Sequence, residues 1–317
     1  MRYRPLGNSG LLVSVVGLGC NNFGMRLDAE RATAVVDAAI EAGVTLLDTA
    51  ESYSAGRSEE ILGEALAGRR DQVVIATKFG GHGDMGYGPA AGAKGGRSYI
   101  RRAVENSLRR LRTDYIDLYQ IHRPDPVTPI EETLTALTEL VQAGLVRYIG
   151  HSNFTAVQIE AAAAAARDLP AVPFISAQNH WSLLERAVEQ DVVPAARQFG
   201  LGVLPYYPLA NGLLTGKIRR GVPPAEGTRL AGRESYITET KLDTVEALAD
   251  WSQQHGRDML AVTVGALAAL PGCTSVIAGA TSADQVRANA EAGDWVPEAS
   301  ELAELDKITT PAGSAAG

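Results

Sequence analysis

Apolar residues fall along this chain in two alternating patterns. Short, nearly continuous apolar runs, as strands buried on both faces produce, alternate with longer stretches whose apolar positions recur at helical spacing. The runs are Val13 to Gly19, Leu46 to Asp48, Val73 to Lys78, Ile116 to His122, Val146 to Gly150, Phe174 to Gln178, Leu201 to Pro205 and Ser275 to Ala278. Between them, helices are predicted from an Asp28 cap to Ala42 with Gly43 closing it, and from an opening Ser58 to Leu66. Others are predicted over Ser98 to Arg110, Pro129 to Ala143 and Thr155 to Ala166, and a helix end over Pro194 to Phe199. Lys241 to His255, Leu260 to Leu270 and Ser282 to Ala290 complete the set. Phe79 to Arg97 and Asn211 to Thr240 carry no apolar period and read as long loops, and the small, polar Pro311 to Gly317 as a disordered tail. Eight strands alternating with helices predict a parallel sheet. The expected fold is an α/β protein, a (β/α)8 or TIM barrel with an N-terminal hairpin and long βα loops. Such barrels run to about 250 residues or more as one domain, so all 317 residues are read as a single domain.

Several strands end in chemistry. Asp48 closes the second run and Tyr53 follows it, Lys78 closes the third, and His122 the fourth. Active sites of such barrels gather at the carboxyl ends of the strands. A phenol, with a free pKa of about 10, is a poor acid at neutral pH unless a cation stabilises its phenolate. Lys78 would supply that charge, Asp48 would hold the ammonium in place, and His122 would bond a substrate oxygen or share in proton delivery. Each residue also has an ordinary reading: Asp48 as a turn or cap residue, Tyr53 as a surface aromatic, Lys78 as a solvated strand end, His122 as a loop histidine. Their joint occurrence in order at strand ends favours the chemical reading.

Composition removes several classes. Hydrophobic residues at 45% and charged residues at 21% are those of a soluble globular protein. A net charge of -8 argues against nucleic acid as partner. Cys20 and Cys273 form no framework, which suits a cytoplasmic setting, and five scattered histidines give no metal motif. No run approaches the length of a membrane span, and the Gly7-Asn8-Ser9-Gly10 turn interrupts any resemblance of the N-terminus to a secretory signal. Gly17-Leu18-Gly19-Cys20-Asn21-Asn22 begins like a dinucleotide fingerprint, but Asn22 stands where its third glycine belongs.

In the order Asp48, Tyr53, Lys78, His122, the chain resembles the aldo-keto reductases over nearly its whole length. The resemblance implies reduction of an aldehyde or ketone, hydride coming from NADPH, with NADH as the alternative, and Tyr53 as proton donor to the nascent alkoxide. Gly150-His151-Ser152-Asn153-Phe154 is similar to the family's Gly-aliphatic-Ser-Asn-Phe. By that match Ser152, Asn153 and Gln178 would bond the nicotinamide carboxamide, an amide offering both donor and acceptor. Tyr206-Tyr207-Pro208-Leu209-Ala210-Asn211-Gly212, running on to Lys217, is similar to an aromatic-Ser-Pro-Leu motif. It implies Tyr206 stacked on the nicotinamide, with backbone amides of this segment and Lys217 on the pyrophosphate. Gly279-Ala280-Thr281-Ser282 leads into a helix N-terminus, a natural phosphate site, where Thr281, Gln285 and Asn289 match the family. Gly19, Cys20, Asn21 and Asp48 would also lie against the cofactor, and Arg229 and Arg287 are candidates for the 2′-phosphate.

The chain departs from the family pattern in three places. His151 replaces an aliphatic residue and Tyr207 a serine, and Gln285 stands where some members carry arginine. His151 reads as a buried strand-end residue bonded to backbone, ahead of a catalytic role. Two other functions stay open. Arg123-Pro124-Asp125-Pro126 and Thr128 to Thr133 are similar to the potassium-channel β-subunits of the same superfamily, which carry asparagine in place of His122; unsaturated nucleotide sugars are reduced by other relatives. A small carbonyl compound is the expected partner, with self-association open.

Overall fold

The computed structural model of the protein describes residues 1–226 and 228–310. An antiparallel hairpin, β1 (Tyr3–Pro5) with β2 (Leu12–Ser14), precedes eight parallel strands. These are β3 (Val16–Gly19), β4 (Leu46–Asp48), β5 (Val74–Phe79), β6 (Ile116–Ile121), β7 (Val146–Ser152), β8 (Ser176–Gln178), β9 (Gly202–Val203) and β10 (Val276–Gly279). They pair in chain order from β3 to β9, with β10 beside β3. Just beyond β9, Ile277 N donates to Pro205 O (3.0 Å) and Thr274 N to Val203 O (2.8 Å), which joins the last strand to the ones before it. The ring is a (β/α)8 barrel, as the alternation of runs predicts.

The helices are α1 (Ala29–Glu41), α2 (Arg57–Ala65), α3 (Arg97–Leu111), α4 (Ile130–Gln142), α5 (Ala156–Asp168), α6 (Val192–Gln198), α7 (Glu239–Gln254), α8 (Met259–Ala269), α9 (Ala283–Ala292) and α10 (Ala299–Thr309). Asp28 caps α1 by accepting from Arg31 N, and Thr155 with Gln158 forms a reciprocal capping box on α5. No helix among the described residues is long and apolar enough to cross a membrane.

Two apolar cores follow from strand alternation. Outward-facing residues such as Val16, Leu47, Ile75 and Ile149 pack under the helices. Inward-facing Leu46, Ala76, Leu118, Ile175, Leu204 and Ile277 fill the lumen, where Leu6, Leu11 and Val13 of the hairpin join them. The hairpin thus stoppers the barrel at the end opposite the strand carboxyl termini.

Three expectations need correction. Val13 to Gly19 is not one strand. Ser14 is fully buried, its Oγ accepts from Thr45 N and Leu46 N, and its own N–H donates to Thr45 Oγ1 (3.0 Å), so the chain leaves the hairpin at Ser14 and enters the barrel at Val16. Ser58 does not open α2. Gly56 occupies the cap, while Ser58 lies within the helix and donates to Cys20 O (2.8 Å), tying α2 to the end of β3. Helix α10 has no counterpart in the expected elements; Leu305 and Thr309 are buried, and Glu298 with Glu301 makes a capping box. The expected tail, Pro311 to Gly317, lies outside the described residues.

Candidate active site

Strand register brings the polar strand ends together. Asp48 on β4 pairs with Ala76 on β5, two residues before Lys78, so both side chains point into the lumen one layer above its apolar filling. Lys78 is fully buried, and its three ammonium protons have three acceptors: Asp48 Oδ2 at 2.6 Å, Thr49 O at 2.8 Å and Tyr53 Oη at 3.4 Å. Burial disfavours its charge, but Asp48 and Tyr53 outweigh that and leave its pKa above the ordinary lysine value. The ammonium is therefore retained and cannot rotate without breaking a bond.

Tyr53 opens a short 3-10 turn (Tyr53–Gly56) in which Ser54 and Ala55 take positive φ. Burial pushes the phenol above its usual pKa, and Lys78 only partly offsets it. Because the Tyr53 oxygen accepts from Lys78, its own proton is left to point elsewhere. His122 follows β6 and meets the Tyr53 ring edge-on, centroids 5.8 Å apart. Burial, with Lys78 and Arg123 nearby, drives its pKa down to about 3, so the imidazole is neutral at ordinary pH. Its Nδ1 stands 3.5 Å from Ser52 Oγ.

These groups border a cavity of ≈ 1010 Å³ over the carboxyl end of the barrel. Tyr53, His122 and Asp48 line it, as do Gly19, Asn21, Ser152, Asn153, Gln178, Tyr206, Tyr207, Pro208, Leu209, Gly212, Lys217, Arg229, Gly279, Thr281, Gln285 and Asn289. Lys78 lies beneath the lining. Gln178 Nε2 donates to Asp48 Oδ1 (2.9 Å), and its amide oxygen has no protein partner among the described residues. Asn153 Nδ2 donates to His122 O and Ser152 Oγ (3.0 Å each), while its Oδ1 accepts from Tyr206 Oη (2.8 Å). The ring of Tyr206 is stacked on His180 at 5.4 Å. Arg229 donates to Asn21 Oδ1 (2.6 Å) and Asn22 Oδ1 (3.1 Å).

Two expected cofactor residues lie away from the cavity lining. The Cys20 side chain is fully buried and turned to Leu18 O, whereas Ala210, expected to act through its backbone amide, has a fully buried side chain. Arg287 lies outside the cavity, paired with Glu41 and Asp284. His151 is buried but not bonded to backbone: it stacks on Phe154 at 4.5 Å, and both ring nitrogens lack a partner among the described residues. The cavity also draws in residues that no motif marked, Arg26, Ser52 and His82, and Arg123, marked only by its likeness to the channel subunits. Next to His82, a Cβ on Gly81 would lie 2.6 Å from Ser52 Oγ and 2.8 Å from His122 Nδ1, a closeness that the sequence does not show. The described residues contain no group of three or more His, Cys, Asp or Glu disposed to hold a metal ion.

The residues present suit a nicotinamide dinucleotide. The cavity is long enough to run from Tyr53 to the start of α9 and includes the free amide oxygen of Gln178. It also includes Lys217 and Arg229 among its four cations, and the open backbone of Gly279, where an added Cβ would meet nothing nearer than 3.7 Å. Comparison with known proteins agrees. The chain is 37% identical to a rice (Oryza sativa subsp. japonica) probable voltage-gated potassium channel subunit beta, over 94% of this chain and 92% of that one. It is 34% identical to aldo-keto reductase YhdN of Bacillus subtilis, over 97% and 93%. L-glyceraldehyde 3-phosphate reductase of Escherichia coli K12 matches at 33%, over 97% and 92%. The profile of the Aldo/keto reductase family spans residues 15–310, which is the whole barrel from the strand switch to the end of α10, and on that match the chain belongs to this family.

Proposed function

We propose that the protein reduces an aldehyde or ketone to an alcohol, with Tyr53 as the acid. The family as a whole supports carbonyl reduction with NAD(P)H. The observation that carries the residue-level reading is the three-way bonding of Lys78 to Asp48, Thr49 O and Tyr53 at the floor of the cavity. Bound there, a reduced nicotinamide supplies the hydride that the protein's own side chains lack. Ser152, Asn153 and Gln178 would hold its carboxamide, and the cavity-facing side of Tyr206 would cover its ring. The backbone around Gly212, with Lys217, Thr281 and the first turn of α9, would hold phosphates. Arg229 beside Asn21 fits a 2′-phosphate, which favours NADPH over NADH. The two buried, unpaired cysteines suit a cytoplasmic setting.

The chain's own part is proton delivery. As negative charge grows on the substrate oxygen, it becomes far more basic than a phenolate and draws the Tyr53 proton, even from a phenol whose pKa is raised. The phenolate left behind faces the Lys78 ammonium, fixed in advance by Asp48 and Thr49 O, so little reorganisation accompanies the transfer. Neutral His122 donates one ring N–H to the same substrate oxygen and orients it. With its pKa depressed by burial, the ring acts here as a neutral hydrogen-bond donor, and the acid role falls to Tyr53. Tyr53→Phe should lower kcat by about 10²- to 10⁴-fold and leave NADPH affinity, read by cofactor fluorescence, nearly intact. Unchanged turnover would defeat the assignment. The rice relative favours a second reading as a cofactor-sensing channel subunit; co-purification with a membrane protein, together with negligible turnover across a panel of carbonyl compounds, would select it.

A further inference from the structure

A buried carboxylate that the proton path does not use stands two residues before Tyr53. Glu51 is fully buried and accepts three hydrogen bonds from three elements. Gly80 N donates to its Oε1 (2.8 Å) from the end of β5, Tyr99 Oη donates to the same oxygen (2.9 Å) from α3, and Tyr87 Oη donates to Oε2 (2.8 Å) from the long loop. Its own N–H donates to Lys78 O (3.0 Å). Among the described residues no cation pairs with it; the nearby Arg110 is bonded to Glu59 instead (2.7 Å). Placing an unpaired carboxylate in the interior is costly unless its acceptors are filled, and here two phenols and one amide fill them.

Two of these donors belong to the segment between β5 and α3, and the third, Tyr99, stands in the first turn of α3 just beyond it. Gly80 begins the segment and Tyr87 is near its middle, while Gly95 N donates to Asp125 Oδ2 (2.6 Å) at its far end. Between the first two, a Cβ on Gly81 would lie 2.6 Å from Ser52 Oγ and 2.8 Å from His122 Nδ1, so the segment packs directly on the histidine, and His82 lines the cavity. Moving the segment therefore moves the surface against which the His122 ring rests.

We infer that Glu51 is a positioning residue, latching the Gly80 to Tyr87 segment against His122 and so fixing the wall of the cavity that receives the substrate. The latch rests on the carbonyl-reductase reading only for its kinetic consequence. Tyr87→Phe removes the bond in the middle of the loop and leaves Glu51, Gly80 and Tyr99 in place. Glu51→Gln keeps the shape and an acceptor for Gly80 N, and its new amide N–H can donate to the Tyr87 oxygen.

Two measurements on the full chain test it. Hydrogen exchange by mass spectrometry over residues 79–88, with NADPH bound, should rise roughly tenfold or more in Tyr87→Phe, since a hydrogen bond to a charged group is lost; in Glu51→Gln it should rise less. With a reducible aldehyde, KM should rise several-fold in Tyr87→Phe while kcat and the NADPH dissociation constant change less than about twofold, and Glu51→Gln should fall between it and the parent. Unaltered exchange in both variants overturns the latch, and so does faster exchange with an unchanged KM. An equal loss of NADPH affinity also overturns it, because that marks general loosening. Should no carbonyl compound be reduced by the parent protein, the proposed activity fails while the exchange experiment still decides whether Glu51 holds the loop.

Discussion

Lys78 concentrates the energetics of the site in one side chain. Removing one partner of a buried ion pair typically destabilises by about 3–5 kcal/mol, because the other charge is left unpaired. Lys78→Met should therefore lose about that much in urea unfolding, with Asp48 stranded at 3% exposure, and should also abolish turnover. The two histidines that burial holds near pKa 3, His122 and His151, weaken the fold in acid. An unfolded chain protonates them near pH 6.5, at about the free histidine value, so the proton-linked part of their burial cost is absent above that pH. Stability falls as pH drops from there toward 3, by up to about 1.4 kcal/mol per pH unit for each ring. His151→Leu removes one of these protons and two unpartnered nitrogens. It should flatten the acid limb measured by urea unfolding and add about 1–3 kcal/mol at neutral pH. At this scale the sequence is informative where a polar residue ends an apolar run, as Asp48, Lys78 and His122 do. It is silent on Glu51, whose donors lie 29, 36 and 48 residues away, and on Thr49, which contributes only its carbonyl.

Among elements, the strand ends and the connections after them differ in character. Seven described non-glycine residues have positive φ: Asn153, Tyr207 and Asn211 line the cavity, Ser54, Ala55 and Ala210 sit in the turns that carry its lining residues Tyr53 and Leu209, and Arg112 ends α3. Backbone in this region is disfavoured for side chains and persists where the surroundings dictate it; here the dictating interactions include the Asn153 bonds to His122 O and Ser152 and the Tyr206 bond to Asn153. Period and propensity carry no trace of such geometry, which is why the strands are readable in the sequence and the loop conformations are not. Helix α10 is a different case. Its Leu302, Leu305 and Ile308 recur at helical spacing, but the stretch is short and follows the strand-helix alternation after it has already closed. It packs on α7 and α8, away from the cavity. Leu305→Ala should accordingly lose about 2–5 kcal/mol of stability in denaturant, with KM values unchanged once the protein is folded.

The whole molecule is acidic, at -8, yet its cavity gathers Arg26, Arg123, Lys217 and Arg229. Asp48, Asp258 and Glu291 also line it, but Asp48 is already paired with Lys78, which leaves the cations in excess, and a concave site with an excess of one sign attracts the opposite charge. A nucleotide with an extra phosphate should feel this more strongly. Between about 0.05 and 0.5 M salt, where the screening length shortens severalfold, NADPH affinity read by fluorescence titration should fall more steeply than NADH affinity. Arg229→Ala should bring the two slopes together. The hairpin at the far end of the barrel adds a constraint on traffic. With Leu6, Leu11 and Val13 corking the lumen, whatever reaches the depth of Gln178 arrives and departs by the rim alone. Two guests sharing one doorway must queue, the deeper entering first and leaving last, and product-inhibition patterns would record a compulsory order rather than a random one.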